Sequence, residues 1–307
     1  METSQFPLVS IITVNYNQSV ATCDMLESLF VSGYPNLEVL VVDNASPSDH
    51  PDVMKERYPQ IILIRNPING GFANGNNIGI RQARGEYLFL LNNDTIVPAG
   101  AINRLVEVLK SDPQTGLVCP KIKYFDRPDI IQYAGQTKMS NIGMRSFKIG
   151  YGEKDTGQYD RTGVTHYAHG AAMMTKREVI DRAGLMPEMY FLYYEEQDWC
   201  DHIKKAGYNI MYVHDAVIYH KESLSTGHNS PTKTYYLNRN RMIFLRRNRT
   251  GIIRFVAIMY LMVIAYPKNV ITWFFKGCLE NAKSVVCAYG WSFRALFNKK
   301  YVYGLVG

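Results

Sequence analysis

With 307 residues, 47% of them hydrophobic, the chain can bury a full core, and one large domain carrying an appendage is the natural division. Its five cysteines are odd in number and lack metal-type or CxxC spacing, which leaves out a disulfide framework and suits reduced, buried thiols in the cytosol. The net charge of +7 is uneven: from Lys233 onward 13 Lys or Arg stand against one acid, Glu280, so this tail carries +12 and the rest −5, and with no nucleic-acid-reading motif in it a nucleic-acid partner is not expected.

Residues 1–8 show no basic flank followed by an apolar stretch, so no secretory signal is expected. Residues 8–15 form a β-rich run, followed by a helical pattern through Cys23, Leu26, Leu29 and Phe30. A second strand is expected over 37–43, a third over 61–64, a helix over 78–83 and a fourth strand over 87–91. Strand and helix alternating at this spacing predict an α/β domain with a parallel, doubly wound sheet over about the first hundred residues.

Polar residues gather where these strands end: Thr13 and Asn15 after the first, Asp43, Asn44 and Ser46 after the second, and Asn66, Asn69, Gly70 and Gly71 after the third. Loops at the carboxyl edge of such a sheet form a nucleotide crevice, in which Asp43 can accept from a base N–H and Arg81 can approach a diphosphate or ribose. The Gly pair lets backbone approach a ligand closely, or simply turns the chain. There is no GxGxxG after the first strand and no GxxxxGKS/T, so dinucleotide and P-loop readings lose support.

The fourth strand is apolar throughout, as a strand covered on both faces must be, and ends in Asn92, Asn93 and Asp94. These supply hard oxygen ligands for Mg²⁺ or Mn²⁺ carrying a diphosphate, or else an Asx turn before a helix over 99–111. Beyond Gly116 the pattern is mixed, with strands expected over 116–124 and 167–175, the latter carrying His169 and Gly170. The aromatic run 190–194 then leads into a helix to about Lys205 that opens with Glu195, Glu196 and Asp198. Carboxylates in a first turn complement the helix dipole; beside apolar rings they also suit a general base. Two short strands follow, 209–213 and 216–220, and His220 ends the second as a structural residue or a metal ligand.

In the tail, the apolar run 252–266 is interrupted by Arg254 and shorter than the roughly 20 residues of a spanning helix. Basic residues among aromatic and aliphatic ones suggest a segment lying on an anionic membrane surface; the alternative is a helical pair packed on the core or on a second subunit in a homo-oligomer.

The stretches 9–17, 41–46, 69–79, 92–94 and 195–199 resemble, in this order, family 2 inverting glycosyltransferases, with the rhamnosyltransferase-like branch nearest. The resemblance covers about residues 7–247. It implies a GT-A fold, a Rossmann-like nucleotide-binding sheet with a mixed acceptor-side half, here followed by a C-terminal helical appendage. On this reading residues 1–232 form the transferase domain, with a donor half to about 115 and an acceptor half over 116–232, and 233–307 form the helical region. The donor is a nucleotide sugar, dTDP-L-rhamnose first and a UDP-hexose next. The acceptor is a glycan, lipid-linked in keeping with the basic tail, and the protein is cytoplasmic and peripheral on the inner face of the membrane.

The resemblance implies Mn²⁺ or Mg²⁺ at Asp94, the only carboxylate in the Asn92-Asn93-Asp94 triplet, with His220 as a further ligand. It implies Glu196 as general base, with Asp198 as the alternative and Glu195 beside them. Thr13, Asn15, Asp43, Asn44, Asn69, Gly70, Gly71, Asn77, Arg81, Asn92 and Asn93 would bind the nucleotide sugar, and His169, Gly170 and Trp199 the acceptor. Trp199 has core packing as its other reading. A sugar-phosphate nucleotidylyltransferase is disfavoured because Asn15-Tyr16-Asn17-Gln18 lacks the basic, Gly-rich signature for a triphosphate. A non-catalytic glycan-binding module is the remaining rival.

Overall fold

The computed structural model describes residues 6–221 and 230–298; the first five residues of the chain start and residues 299–307 of the basic tail lie outside the described residues. Four strands build the amino-terminal half of the sheet: β1 (Val9–Asn15), β2 (Leu37–Asp43), β3 (Ile62–Arg65) and β4 (Tyr87–Leu91). They alternate with α1 (Ser19–Phe30), α2 (Asp52–Arg57) and α3 (Gly71–Gln82). All pairings among these strands are parallel, in the order β3-β2-β1-β4, as the alternation predicts. Every residue of β4 is buried, the covering on both faces that its unbroken apolar sequence anticipates. Helix α3 begins at Gly71, well before residue 78, and packs close: a Cβ on Gly79 would come within 2.5 Å of Ile12 Cγ2.

The chain continues through β5 (Thr95–Ile96), α4 (Ala101–Ser111), β6 (Thr115–Tyr124), β7 (Ile131–Tyr133), β8 (Gly163–Val164) and β9 (Ala172–Lys176). After α5 (Arg177–Ala183) and α6 (Glu195–Lys205) comes β10 (Asn209–His220). The full order is β3-β2-β1-β4-β9-β6-β10-β5, with β7 on β6 and β8 on β10. Here the sheet is mixed: β9 runs antiparallel to β4 and β6, whereas β10 is parallel to β6 and antiparallel to β5. Two expectations are corrected. The strand anticipated over 167–175 is confined to β9, because residues 167–171 turn back on themselves through a His169–Ala172 bridge. The two short strands after the acidic helix are one strand, its register shifted between Val213 and Val217 by a bulge.

The carboxyl-terminal helices are α7 (Pro231–Asn248), α8 (Gly251–Tyr260), α9 (Tyr266–Phe275) and α10 (Leu279–Phe297). Helix α7 is capped by Ser230 Oγ, which accepts from Lys233 N, and it buries Met242, Ile243, Phe244 and Leu245 in the main core. The expected boundary at 232/233 therefore falls inside a helix whose far end is core. A π-helical turn over Leu261–Ala265 joins α8 to α9 without a break. The result, Gly251–Phe275, has 25 residues and is long and apolar enough by length and composition to cross a membrane, which the run 252–266 alone was not.

Candidate active site

The carboxyl ends of β1, β2 and β4, the start of α6, and one side of α7 and α9 surround a cavity of about 1060 Å³. Asp94 and His220 meet there because β5 and β10 pair antiparallel, with His220 opposite Thr95. His220 Nε2 lies 3.0 Å from Asp94 Oδ1, both side chains nearly buried. Yet neither atom has a hydrogen-bond partner. Gln132 fixes the ring: in the orientation assigned to its amide, Oε1 accepts from His220 Nδ1–H at 2.7 Å, so in the neutral imidazole Nε2 carries the lone pair, aimed at a carboxylate oxygen. Two acceptors facing each other call for a shared cation, and an imidazole fixed through its other nitrogen is the usual arrangement of a metal ligand. Asn92 and Asn93 line the cavity beside them. The donor set thus fits Mn²⁺ or Mg²⁺, with nitrogen and one carboxylate favouring Mn²⁺ of the two.

Glu195 and Glu196 line the same cavity from the first turn of α6. Glu195 is 2% exposed and its Oε2 has no partner; burial and the neighbouring Glu196 charge push its carboxyl well above the usual range. Glu196 is half-buried, and burial raises its carboxyl too, opposed by Lys148 and by Gln197, whose Nε2 donates to Oε1 at 3.0 Å. Gly170 lies against it: a Cβ there would be 3.9 Å from Glu196 Cδ and 3.7 Å from Phe72 Cζ. His169 stands 2.7 Å from Lys148 Nζ, and burial together with Lys148 and His220 holds its pKa well below the ordinary value.

The acidic turn is entered through an unusual backbone. Phe191, Tyr193 and Tyr194 all have positive φ, at 67°, 70° and 77°, a region that costs a non-Gly residue of order 1 kcal/mol or more. Gly71 accommodates the crossing loop: its own φ is +83°, and a Cβ would overlap the Phe191 carbonyl oxygen, which instead accepts from Phe72 N at 2.8 Å. From α7, Asn240 Nδ2 donates to the carbonyls of Tyr190, Leu192 and Tyr193 at 3.1, 2.7 and 2.7 Å. Arg239 adds bonds to Met189 O and Tyr190 O.

At the other end of the cavity Val14, Tyr16, Asn44, Asn69 and Gly71 form the wall. Asn44 Nδ2 donates to Asn69 Oδ1 at 2.9 Å and to Gly71 O at 3.1 Å, while Asn69 Oδ1 also accepts from Gly71 N, so the loop after β3 is locked onto the end of β2. Asp43 is buried and accepts from Asn15 Nδ2 and Ser46 Oγ at 2.9 and 2.6 Å.

The family model for Glycosyl transferase family 2 matches residues 10–184, which span β1 to the end of β9 and into α5. The chain belongs to this family. Among curated relatives, the N-acetylglucosaminyl-diphospho-decaprenol L-rhamnosyltransferase of Mycobacterium tuberculosis is 24% identical over 268 residues, 80% of this chain and 86% of that one. The low-salt glycan biosynthesis hexosyltransferase Agl10 of Haloferax volcanii is 28% identical over 208 residues, 66% of this chain and 63% of that protein. Solved structures share the fold at lower identity. The mannosyltransferase PcManGT from Pyrobaculum calidifontis, in complex with GDP-Man and Mn2+, superposes with a TM-score of 0.58 at 19% identity, covering 97% of this chain and 83% of that one. S. aureus TarS 1-349 in complex with UDP-GlcNAc gives 0.60 at 16%, covering 95% and 82%. The fold is GT-A, and the protein is a glycosyltransferase.

Within this glycosyltransferase the structure separates the anticipated site residues into two groups. Asn44, Asn69, Gly71, Asn92, Asn93, Asp94, His169, Gly170, Glu195, Glu196 and His220 share the cavity wall. Asp198 does not: at 3.6 residues per turn it points about 200° away from Glu196, and it is fully buried, accepting from Tyr190 OH, Arg247 Nε and Asn248 Nδ2 at 3.0, 2.6 and 2.6 Å. The alternative assignment of the base to Asp198 is thereby corrected, since no substrate reaches a carboxylate enclosed this way. Trp199 is likewise buried, its Nε1 donating to Gly184 O at 2.8 Å, and has no ring face left for an acceptor.

Arg81 pairs with Glu188 at 3.3 Å, and Asn77 holds Met186 O and Glu188 Oε1 at 2.8 Å, so both tie α3 to the segment before α6 instead of lining the cavity. Thr13 and Asn15 are buried outside the cavity wall, because alternate residues of β1 face opposite ways and Val14 and Tyr16 take the cavity side. Gly70 and Asp43 also stand behind the lining. Sequence reasoning missed Lys148, Arg241 and Lys276, which reach the cavity from distant segments. The one available signal was the polar triplet Arg239-Asn240-Arg241 inside an otherwise core-forming helix.

Proposed function

We propose that this glycosyltransferase works with inversion, moving one sugar from a nucleotide donor to a hydroxyl of a lipid-linked bacterial surface glycan. The observation that carries the reading is the half-buried Glu196 carboxylate in the same cavity as the Asp94–His220 pair. The acceptor oxygen attacks C1 of the donor sugar as Glu196 takes its proton; the new C1–O bond forms on the face opposite the breaking bond to the diphosphate, and the nucleoside diphosphate leaves. Asp94 and His220 would hold a divalent cation, which when bound supplies positive charge for the departing diphosphate. Asn44 and Asn69 would face the nucleotide, and His169 with Gly170 the acceptor sugar.

dTDP-L-rhamnose is the preferred donor, supported by the relative whose name specifies L-rhamnosyl transfer to a diphospho-decaprenol-linked sugar, and a UDP-hexose comes next. Attachment to the inner membrane surface is supported by the arrangement of α9. Its polar positions Asn269, Thr272 and Lys276 line the cavity with Trp273, while Ile271, Phe274 and Phe275 on its other side are 55, 60 and 82% exposed. A helix with a polar face turned inward and an apolar face turned outward matches an element lying between an aqueous site and lipid. The deciding experiment offers dTDP-L-rhamnose, UDP-glucose and GDP-mannose with Mn²⁺ and a prenyl-diphosphate-linked sugar acceptor. Transfer from none of them would sink the reading, and NMR of the anomeric proton reports inversion.

A further inference from the structure

Arg145, Lys233, Arg241 and Lys276 line the cavity, and among the described residues none of them makes an ion pair. Arg241 is 3% exposed and lines the wall, yet among the described residues its guanidinium faces no carboxylate. Nε and Nη2 donate to Gly143 O at 3.1 and 2.6 Å, and Nη1 has no hydrogen-bond partner. The groups that act on it most strongly are Tyr194, Arg145, Tyr266 and Tyr260, three phenols and another cation. Burying a guanidinium with an unsatisfied N–H and no counter-charge is costly, and ordered water or a bound anion has to complete it. Arg145, Lys233 and Lys276 line the same cavity from three separate segments, Lys233 5.9 Å from the centre of the Tyr193 ring and Lys276 5.2 Å from that of Trp273.

This cationic set is separated in function from the Asp94–His220 pair, which would take the donor's diphosphate through a metal. It adjoins α9, whose outer side is apolar. We infer that Arg241, Arg145, Lys233 and Lys276 form a second anion subsite that holds the phosphate or diphosphate of a lipid-linked acceptor, entering the cavity from the apolar face of α8 and α9. Guanidinium and ammonium groups around one wall suit phosphate oxygens, Arg by directed N–H bonds and Lys as point charges. The identity of the ligand as an acceptor rests on the proposed transferase reading; the binding of a prenyl diphosphate does not.

The test is calorimetry on the full-length protein in EDTA, which removes metal-dependent donor binding, with geranyl diphosphate, geraniol and inorganic pyrophosphate as probes. Geranyl diphosphate is expected to bind more tightly than either fragment. Lys233→Gln combined with Lys276→Gln should weaken it about ten-fold or more, the scale of lost charge-assisted hydrogen bonds, while Mn²⁺-dependent binding of UDP and the melting temperature stay as in the wild type. Arg241→Lys should weaken it likewise. Unchanged geranyl diphosphate binding in these variants overturns the inference, and so does an equal loss of UDP binding, which would assign the cations to the donor. Pyrophosphate binding as tightly as geranyl diphosphate overturns the acceptor assignment. Wild-type protein that binds geranyl diphosphate as expected but transfers sugar from no donor sinks the transferase reading and leaves the subsite standing.

Discussion

His220 Nε2 sits 3.0 Å from Asp94 Oδ1 with its other ring nitrogen bonded to Gln132, so strand pairing between β5 and β10 delivers two electron-pair donors, 126 positions apart in the chain, to one point in the cavity. Nothing in either local sequence specifies this. The antiparallel register, His220 opposite Thr95, does.

Asp94→Ala is expected to abolish Mn²⁺-dependent binding of a nucleoside diphosphate, and Gln132→Met to weaken it about 10- to 100-fold by releasing the imidazole from its fixed tautomer. Isothermal titration of Mn²⁺ and UDP together reads both. Wild-type affinity in Asp94→Ala would refute the site.

Glu196→Gln should keep donor binding and lose transfer by about 10²-fold or more, the scale for removing a positioned base. The pH profile carries a second signature. Burial raises the Glu196 carboxyl, and only the ionised form accepts a proton, so kcat should fall as pH drops through a value above the ordinary glutamate range. An acid limb at or below pH 4 would remove Glu196 from the role.

Glu195→Gln tests the buried neighbour through stability. Its folded-state pKa is raised, so the folded protein holds this proton more tightly than the unfolded chain, and stability declines as pH rises from the unfolded value through the folded one. The glutamine variant cannot ionise and should show a melting temperature less sensitive to pH in that window, and higher than wild type above it. Parallel melting curves for the two proteins across pH would contradict the assignment.

Asp198→Asn removes the fully buried carboxylate that faces the partly buried Arg247, a change expected to cost about 3 kcal/mol of folding stability. Urea denaturation measures this. Any variant protein that folds should retain more turnover than Glu196→Gln, because Asp198 touches structure and not substrate.

Full-length protein should sediment with vesicles containing anionic lipid at low salt and be released as salt rises, each exposed Arg or Lys of the tail near the surface contributing roughly 1 kcal/mol. Arg254, Lys268, Lys276, Lys283 and Arg294 are the exposed cations among the described residues of α8 to α10 and the turns between them. Indifference to such vesicles at low salt would leave the apolar face of α8 and α9 for a protein partner.

The parallel half of the sheet was legible because its strands are apolar runs ended by polar residues, and both patterns are local. Asp94, Glu195 and Glu196 could be read for the same reason, as acids at the end of a buried strand and the start of a helix. The roles given to Asp198 and Trp199 were lost to the rotation of α6, which sequence order conceals, and those given to Thr13 and Asn15 to the alternation of β1. Lys148 and Lys276 were not legible, and Arg241 only through the polar triplet Arg239-Asn240-Arg241, because their place depends on how α7, α9 and the segment before β8 close over the sheet. The apolar run 252–266 looked too short to span because Pro267, Lys268 and Asn269 end it in composition, whereas the helix runs on through them to Phe275.

The cavity has a consequence for the order of synthesis. Its first wall comes from the first 94 residues and its acidic turn carries Glu195 and Glu196, but the clasp on that turn is Asn240 and the closing wall is Asn269 to Lys276. A nascent chain that has emerged from the ribosome only through β10 therefore carries every acidic group of the site, with Asp94 set by the β5–β10 pairing, but lacks the Asn240 clasp on the turn that holds Glu195 and Glu196. The acidic turn gains its Asn240 clasp only when α7 docks, and the cavity its closing wall only when α9 follows, a helix that presents an apolar face to the surroundings.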